Sequence, residues 1–298
     1  MIWIWFAISS ALFLGLYDLA KKKSLDHNAV WPVLFFCTIS GAILVLPTLV
    51  FSHIAPQFAQ SHGLWVQPLG WPDHFRLFCK AAIVSLSWAC TYQAIKHLPV
   101  SISAPVRASA PLFTISAAIL AFGERPSPLQ WGGIAITLAS YWIFALAGKK
   151  DGFRFHKDKW IGLMVLGSLF GACSSLYDKH LLQALHLGAN TVQLWFSLYM
   201  LAIQGLWVSI FWLPRIVRPA FEWRWSILLV GLLLVIADQF YFRAVSNPDA
   251  LISVVSVVRR ASVAISFALG IFVLKESRGK GKFVAVAGIL VGLILMSL

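Results

Sequence analysis

The stretch 249–276, DALISVVSVVRRASVAISFALGIFVLKE, is long enough to cross a membrane, yet Arg259 and Arg260 sit near its middle. An earlier stretch, 99–124 (PVSISAPVRASAPLFTISAAILAFGE), places Arg107 17 residues before Glu124, the same spacing that separates Arg259 from Glu276. Charged side chains are costly in hydrocarbon and usually face a bundle interior or a cavity. Two such arginines at one repeated offset imply a duplicated chain with a polar interior.

The rest of the sequence agrees with a lipid environment. The 298 residues are 59% hydrophobic and only 12% charged, with a mean hydropathy of +0.80. Soluble domains carry about 25% charged residues. Ten apolar stretches fall at about 1–20, 30–52, 72–95, 99–122, 128–147, 159–181, 191–213, 224–243, 249–274 and 281–298. Each approaches or exceeds the roughly 17–25 residues a helix needs to span hydrocarbon. Backbone groups in lipid must be satisfied within the segment, so helices are expected. The alternation over about ten residues that marks a barrel strand is missing. The first stretch lacks a basic leader and a small-x-small cleavage site, and is expected to stay as a helix. The expected fold is an all-α integral membrane protein with ten transmembrane helices.

A net charge of +13 would suit nucleic acid, but its placement argues otherwise. The basic residues flank apolar segments, as in Lys21–Lys23, Lys149–Lys150 and Arg278–Lys282. Links after the odd-numbered spans carry about +11 and the others about +1. Basic links are retained in the cytoplasm, which would put both termini outside. Cys37, Cys79, Cys90 and Cys173 lie in or beside apolar segments without CxxC spacing and read as packed thiols. His53, His62 and His74 make no tight metal cluster, and no cofactor is expected.

The second half copies the first. Residues 121–146 align without a gap to 273–298 at an offset of 152, which pairs Arg107 with Arg259 and Glu124 with Glu276. Leu16-Tyr17-Asp18 recurs as Leu176-Tyr177-Asp178, and Tyr92 corresponds to Tyr241. The chain divides into 1–147, a basic linker at 148–159, and 160–298. Five spans per half reverse the second copy, giving two five-helix inverted repeats. Such repeats place a binding site at their interface and permit alternating access.

Several polar residues are candidates for that interface. Pro105 and Pro111 bracket Arg107, and proline frees a helix carbonyl, so the fourth span is expected to be bent or opened there. At about 1.5 Å per residue, Arg259 lies roughly 15 Å from the start of its span and Asp238 roughly 8 Å from the end of the preceding one. Asp238 can therefore approach Arg259 or Arg260, as a structural ion pair or with one arginine left for substrate. Three arginines against one aspartate favour an anionic or zwitterionic solute, because the guanidinium fork grips carboxylate and phosphate. Consecutive helix residues point about 100° apart, and the repeat match to Arg107 favours Arg259 for the cavity. Asp238 is also the candidate carrier of a coupling proton, a role a nearby arginine opposes. Asp18 reads either as a headgroup charge paired with a lysine or as a carboxylate at one mouth. Arg76 and Lys80, early in the third span, are expected to snorkel to the headgroups. Tyr17, Tyr92, Tyr177, Tyr241 and Trp88 sit beside polar groups. The primary cavity residues are thus Arg107, Asp238, Arg259, Tyr92 and Tyr241. The secondary ones are Asp18, Tyr17, Asp178, Tyr177, Arg260, Glu124 and Glu276.

The motifs Pro111…Phe122-Gly123-Glu124-Arg125 and Trp131-Gly132-Gly133-Ile134, with the weaker Leu274-Lys275-Glu276 and Ala287-Gly288, resemble those of the drug/metabolite transporter superfamily. The resemblance is closest to its EamA-type branch and covers essentially the whole chain. It implies a central cavity lined by the third, fourth, eighth and ninth helices, and it implies termini inside, against the charge count. Val263 in place of Pro111 and Lys275 in place of Gly123 depart from the pattern in the second half. No nucleotide-binding loop, HExxH, GxSxG or paired catalytic carboxylates occur, so an enzyme or an ATP-driven pump is not expected. The expected function is secondary transport of a small polar metabolite across the inner (plasma) membrane; a non-transporting scaffold or receptor is the alternative. Expected partners are a small-molecule substrate and membrane lipids, without nucleic acid, for a monomer or homodimer.

Overall fold

Helix boundaries in this chain are set mainly by proline and glycine. Pro32, Pro56, Pro72 and Pro128 each lie in the first turn of a helix, where a missing N–H costs nothing. The computed structural model describes residues 2–98, 106, 110–146, 159–214, 220–262, 264–266 and 280–298. Among them the helices are α1 (Ile2–Leu25), α2 (Val30–Ile54), α3 (Pro56–Ser61), α4 (Trp71–His97), α5 (Ala110–Phe122) and α6 (Pro128–Leu146). Then come α7 (Lys159–Lys179), extended by a π-helical turn at His180–Ala184, α8 (Ala189–Phe211), α9 (Trp225–Val245), α10 (Ile252–Arg260) and α11 (Lys280–Ser297). No strand occurs among the described residues.

Among the described residues five helices are long and apolar enough to cross a membrane: α1, α2, α7 with its π turn, α8 and α9. Helix α5 and the segment Val284–Ser297 of α11 are apolar but shorter. Large apolar side chains such as Leu120, Leu206 and Ile294 face outward, as a lipid-facing surface requires.

The main helix pairs are α1 with α9, α4 with α7, α2 with α8, and α6 with α11. Lesser contacts join α2 to α9, α4 to α8, α5 to α7, α1 to α10, and α5 to α10. Small residues allow the close pairs, since lipid tails supply no hydrophobic drive between helices. A Cβ on Gly231 of α9 would clash with the Cys37 carbonyl of α2, and one on Gly292 of α11 would clash with Thr137 of α6.

Polar clasps close the two ends of the bundle. At one end Arg224 donates to the Lys23 and Asp26 carbonyls at 2.8 Å each, and the Asn28 amide donates to the Glu222 carbonyl at 2.8 Å. At the other end the Gln67 side-chain amide oxygen accepts from Gly188 N at 2.7 Å, and Asn190 donates to the Gly63 carbonyl at 2.6 Å.

The ninth apolar stretch is not one uninterrupted helix. Helix α10 stops at Arg260, the chain turns at Ala261, and helical geometry resumes at Ser262 and 264–266. The Ala261 amide reaches back three residues to Val258 at 3.0 Å, the tightened geometry common where an α-helix ends. In the fourth stretch the described helix begins at Ala110; the turn around Arg107 lies outside the described residues.

Candidate functional site

A cavity of about 290 Å³ lies among α1, α4, α5, α7, α8, α9 and α10. Its polar wall is a continuous network. Lys80 of α4 pairs with Asp178 of α7. The Tyr241 hydroxyl of α9 donates to the other Asp178 oxygen at 3.2 Å. The Arg259 guanidinium lies over the Tyr241 ring, 4.1 Å from its centroid, and pairs with Asp238 one helical turn before that tyrosine. Two ion pairs are thus bridged by one tyrosine, and four helices are tied together.

The pairs differ in burial. The Lys80 and Asp178 side chains are 2% and 5% exposed, whereas those of Arg259 and Asp238 are 23% and 11% exposed. The Lys80 ammonium also sits 4.3 Å from the Phe196 ring centroid and 5.0 Å from that of Phe242. Charges this deep need a partner, because desolvation is repaid only by close pairing and further hydrogen bonds.

A second wall is more open. Lys21 of α1 lies 4.2 Å from the centroid of the Tyr92 ring and 5.3 Å from that of Tyr17. Asp18 lines the same cavity and makes no salt bridge among the described residues. Trp88 stands beside it, edge-on to Tyr92 with centroids 6.5 Å apart.

Glu124 lies outside the cavity and holds it together from one end. Gly123 takes φ +62°, a conformation costly for other residues, and turns the chain so that Glu124 enters the bundle with 5% exposure. The Glu124 carboxylate accepts from the Ile252 amide at 2.7 Å, the Ser253 amide at 3.0 Å, the Ser253 hydroxyl at 2.5 Å and the Lys179 ammonium at 2.5 Å. It caps the N-terminus of α10, where a negative charge meets the positive end of the helix dipole. Arg259 lies near the opposite end of α10.

Asp238, Arg259, Tyr92, Tyr241, Asp18, Tyr17, Asp178 and Arg260 all line this one cavity. Arg259 and Arg260, consecutive at the end of α10, both line it, as does Ser262 beyond the turn. The arginine that pairs with Asp238 is Arg259 itself, so the roles of pairing and of facing the cavity fall on one residue. Tyr177 is a correction. It is half-buried, with its ring stacked on His180 at 6.1 Å, and is not part of the cavity lining. Asp178, one residue on, takes the inward direction on α7. Arg107 and Glu276 lie outside the described residues.

Lys80 is the larger correction. Helix α4 begins at Trp71, so Lys80 sits about 14 Å along the axis. From there its side chain cannot reach the headgroups, and it turns inward to Asp178. The signal was available in the Trp71-Pro72 helix start. Arg76, four residues nearer that start, pairs with Asp73 at 2.6 Å instead. Lys21 and Lys179 also escaped the sequence reading, hidden in a basic run and beside an aspartate. Among the described residues no group of His, Cys, Asp or Glu could hold a metal ion.

Residues 1–146 match the sequence model of the EamA-like transporter family. A crystal structure of a protein shares the fold at a TM-score of 0.73 and 17% identity, covering 99% of this chain and 94% of the other. No curated protein sequence matches.

Proposed function

Because the chain belongs to the drug/metabolite transporter superfamily, we propose that it is a secondary transporter of a small polar metabolite, anionic or zwitterionic, working by alternating access. The observation that carries this reading is a guanidinium held at the cavity wall: Arg259 lines the cavity, is oriented by Asp238 and lies over the Tyr241 ring. Among the described residues Lys21, Lys80 and Arg260 line the same space, with Asp18, Asp178 and Asp238. A solute carboxylate or phosphate meets in Arg259 the fork that binds such groups.

The pattern of helix contacts supports two inverted five-helix halves. Exchanging each first-half helix for its counterpart swaps α1 with α7, α2 with α8, α4 with α9, α5 with α10, and α6 with α11. That exchange converts the α1–α9 pair into the α7–α4 pair, α2–α9 into α8–α4, and α1–α10 into α7–α5. It leaves α2–α8, α6–α11 and α5–α10 unchanged. All of these contacts occur. On this reading ten spans cross the inner (plasma) membrane, and the cavity lies where the halves meet.

Counterflow in sealed proteoliposomes tests the proposal. A panel of labelled anionic, zwitterionic and cationic metabolites is expected to give exchange for carboxylate-bearing solutes, reduced at least tenfold by Arg259→Ala. Exchange of cations alone would overturn the charge preference, and exchange of none would overturn transport. An imposed pH gradient in the same vesicles tests proton coupling through Asp238.

A further inference from the structure

A side pocket of about 40 Å³ adjoins the main cavity and shares Tyr17, Trp88, Phe196, Leu234 and Asp238 with it. The rest of its lining, from α2, α8 and α9, is mostly apolar. Three polar groups there have different fates. The Thr38 hydroxyl is committed to the Phe35 carbonyl at 2.7 Å, and the Cys37 thiol to the Ile227 carbonyl at 3.2 Å. Gln193, only 3% exposed, donates its amide N–H to the Ser197 hydroxyl at 3.0 Å. Its amide oxygen is buried without a hydrogen-bond partner among the described residues.

A buried amide oxygen with no donor is costly to maintain, and here Gln193 lines a pocket that shares five lining residues with the main cavity. If the amide is turned over, an N–H faces the pocket instead. A hydroxyl, which both donates and accepts, satisfies either orientation. One water needs about 10–15 Å³ of such space, so the pocket takes about three non-hydrogen atoms. Arg259, held by Asp238 at the junction of the two spaces, would anchor a carboxylate on the same solute.

We propose that Gln193 is a specificity-determining residue: the side pocket takes a short apolar arm of the solute, and Gln193 with Ser197 reads a hydroxyl at its tip. This rests on the transport reading for the idea that the solute enters the main cavity.

Three matched pairs of probes separate the two ideas: 5-hydroxyvalerate and valerate, 5-hydroxynorvaline and norvaline, 5-aminopentanol and pentylamine. Each pair differs by one terminal hydroxyl, and the pairs differ in charge. Titration calorimetry of the purified full chain is expected to show the hydroxylated carboxylate or zwitterion binding at least tenfold tighter than its apolar partner. Sites built to hydrogen-bond a hydroxyl reject analogues that lack it. Gln193→Leu, similar in size, is expected to erase the preference while leaving apolar probes bound equally well or better. If that variant does not fold, Ser197→Ala is expected to shrink the preference severalfold. Equal affinities within every pair, a preference that survives these substitutions, or no binding of any probe would overturn the proposal. Binding of the amine pair alone would instead overturn the charge preference, and the hydroxyl effect within that pair would still decide the role of Gln193.

Discussion

The two polar walls of the cavity carry the same residue types in different states of pairing. Asp178 and Tyr241 on one wall correspond in sequence to Asp18 and Tyr92 on the other. On the first wall, Asp178 pairs with Lys80 and accepts from Tyr241, and Tyr241 is covered by Arg259. On the second, Lys21 rests on two tyrosine rings and Asp18 has no salt bridge among the described residues. The same residue types therefore do two jobs. Where the charges are deep and mutually satisfied, they fix four helices in place. Where they are shallower and loosely held, they are free to exchange their contacts for a solute. Substitutions should affect stability at the deep Lys80–Asp178 pair of the first wall, and binding at the more exposed Arg259 and on the second wall.

The largest expected effect follows from Lys80→Met. It leaves Asp178 buried without its counter-charge, and breaking a buried ion pair from one side costs about 3–5 kcal/mol. Thermal unfolding of the purified protein should show a strongly lowered midpoint. The double substitution Lys80→Met with Asp178→Asn should recover most of the loss, because the amide still accepts from Tyr241. A single variant that melts like the native protein would show that this wall is not the rigid one.

Glu124→Gln is expected to cost somewhat less, about 2 kcal/mol, by removing a charged acceptor from four donors. The comparison sharpens if Lys179→Met adds little further loss in that background, since both changes break one clasp. An additive second loss would separate Lys179 from the cap of α10. Arg259→Lys comes next. It keeps the charge but loses the fork and the flat contact with Tyr241, worth about 1–2 kcal/mol. Carboxylate probes should bind about tenfold more weakly, measured by calorimetry, with a fall in unfolding midpoint clearly smaller than that of Lys80→Met.

Much of this arrangement was legible in the sequence. Apolar runs of membrane length, with Lys and Arg between them, follow directly from the cost of exposing backbone and charge to lipid. Asp238 and Arg259 could be brought together because depth along two helices joined by a short link is fixed by the rise per residue. Lys80 was harder to place. A lysine in the early turns of a helix reads as snorkelling unless a counter-charge is known to lie within reach, and Asp178 comes from a different helix, in the other half of the chain. Tyr177 shares the Leu-Tyr-Asp motif of Tyr17 but not its direction: Tyr17 lines the cavity, whereas Tyr177 stacks on His180. The Glu124 cap was out of reach because its donors come from residues 252 and 253, in the other half of the chain. Spacing within one repeat carries no information about a contact between the halves.

The smallest effect on stability, and the sharpest use of the comparison, is expected for Lys21→Met. Lys21 is half-buried and rests on the faces of Tyr17 and Tyr92, with no salt bridge among the described residues; the ring contacts are worth about 0.5–1 kcal/mol. Methionine keeps the apolar packing against both rings, so the unfolding midpoint should hardly move. The cavity nevertheless loses one of its four positive charges on the wall where nothing neutralises it tightly. Binding of carboxylate probes should weaken severalfold, and the loss should shrink as salt is added, because a partly solvated charge is screened. A variant that melts like the native protein but binds carboxylates more weakly would separate the wall that meets the solute from the wall that holds the fold. A fall in stability as large as that of Lys80→Met, with binding unchanged, would reverse the assignment of the two walls.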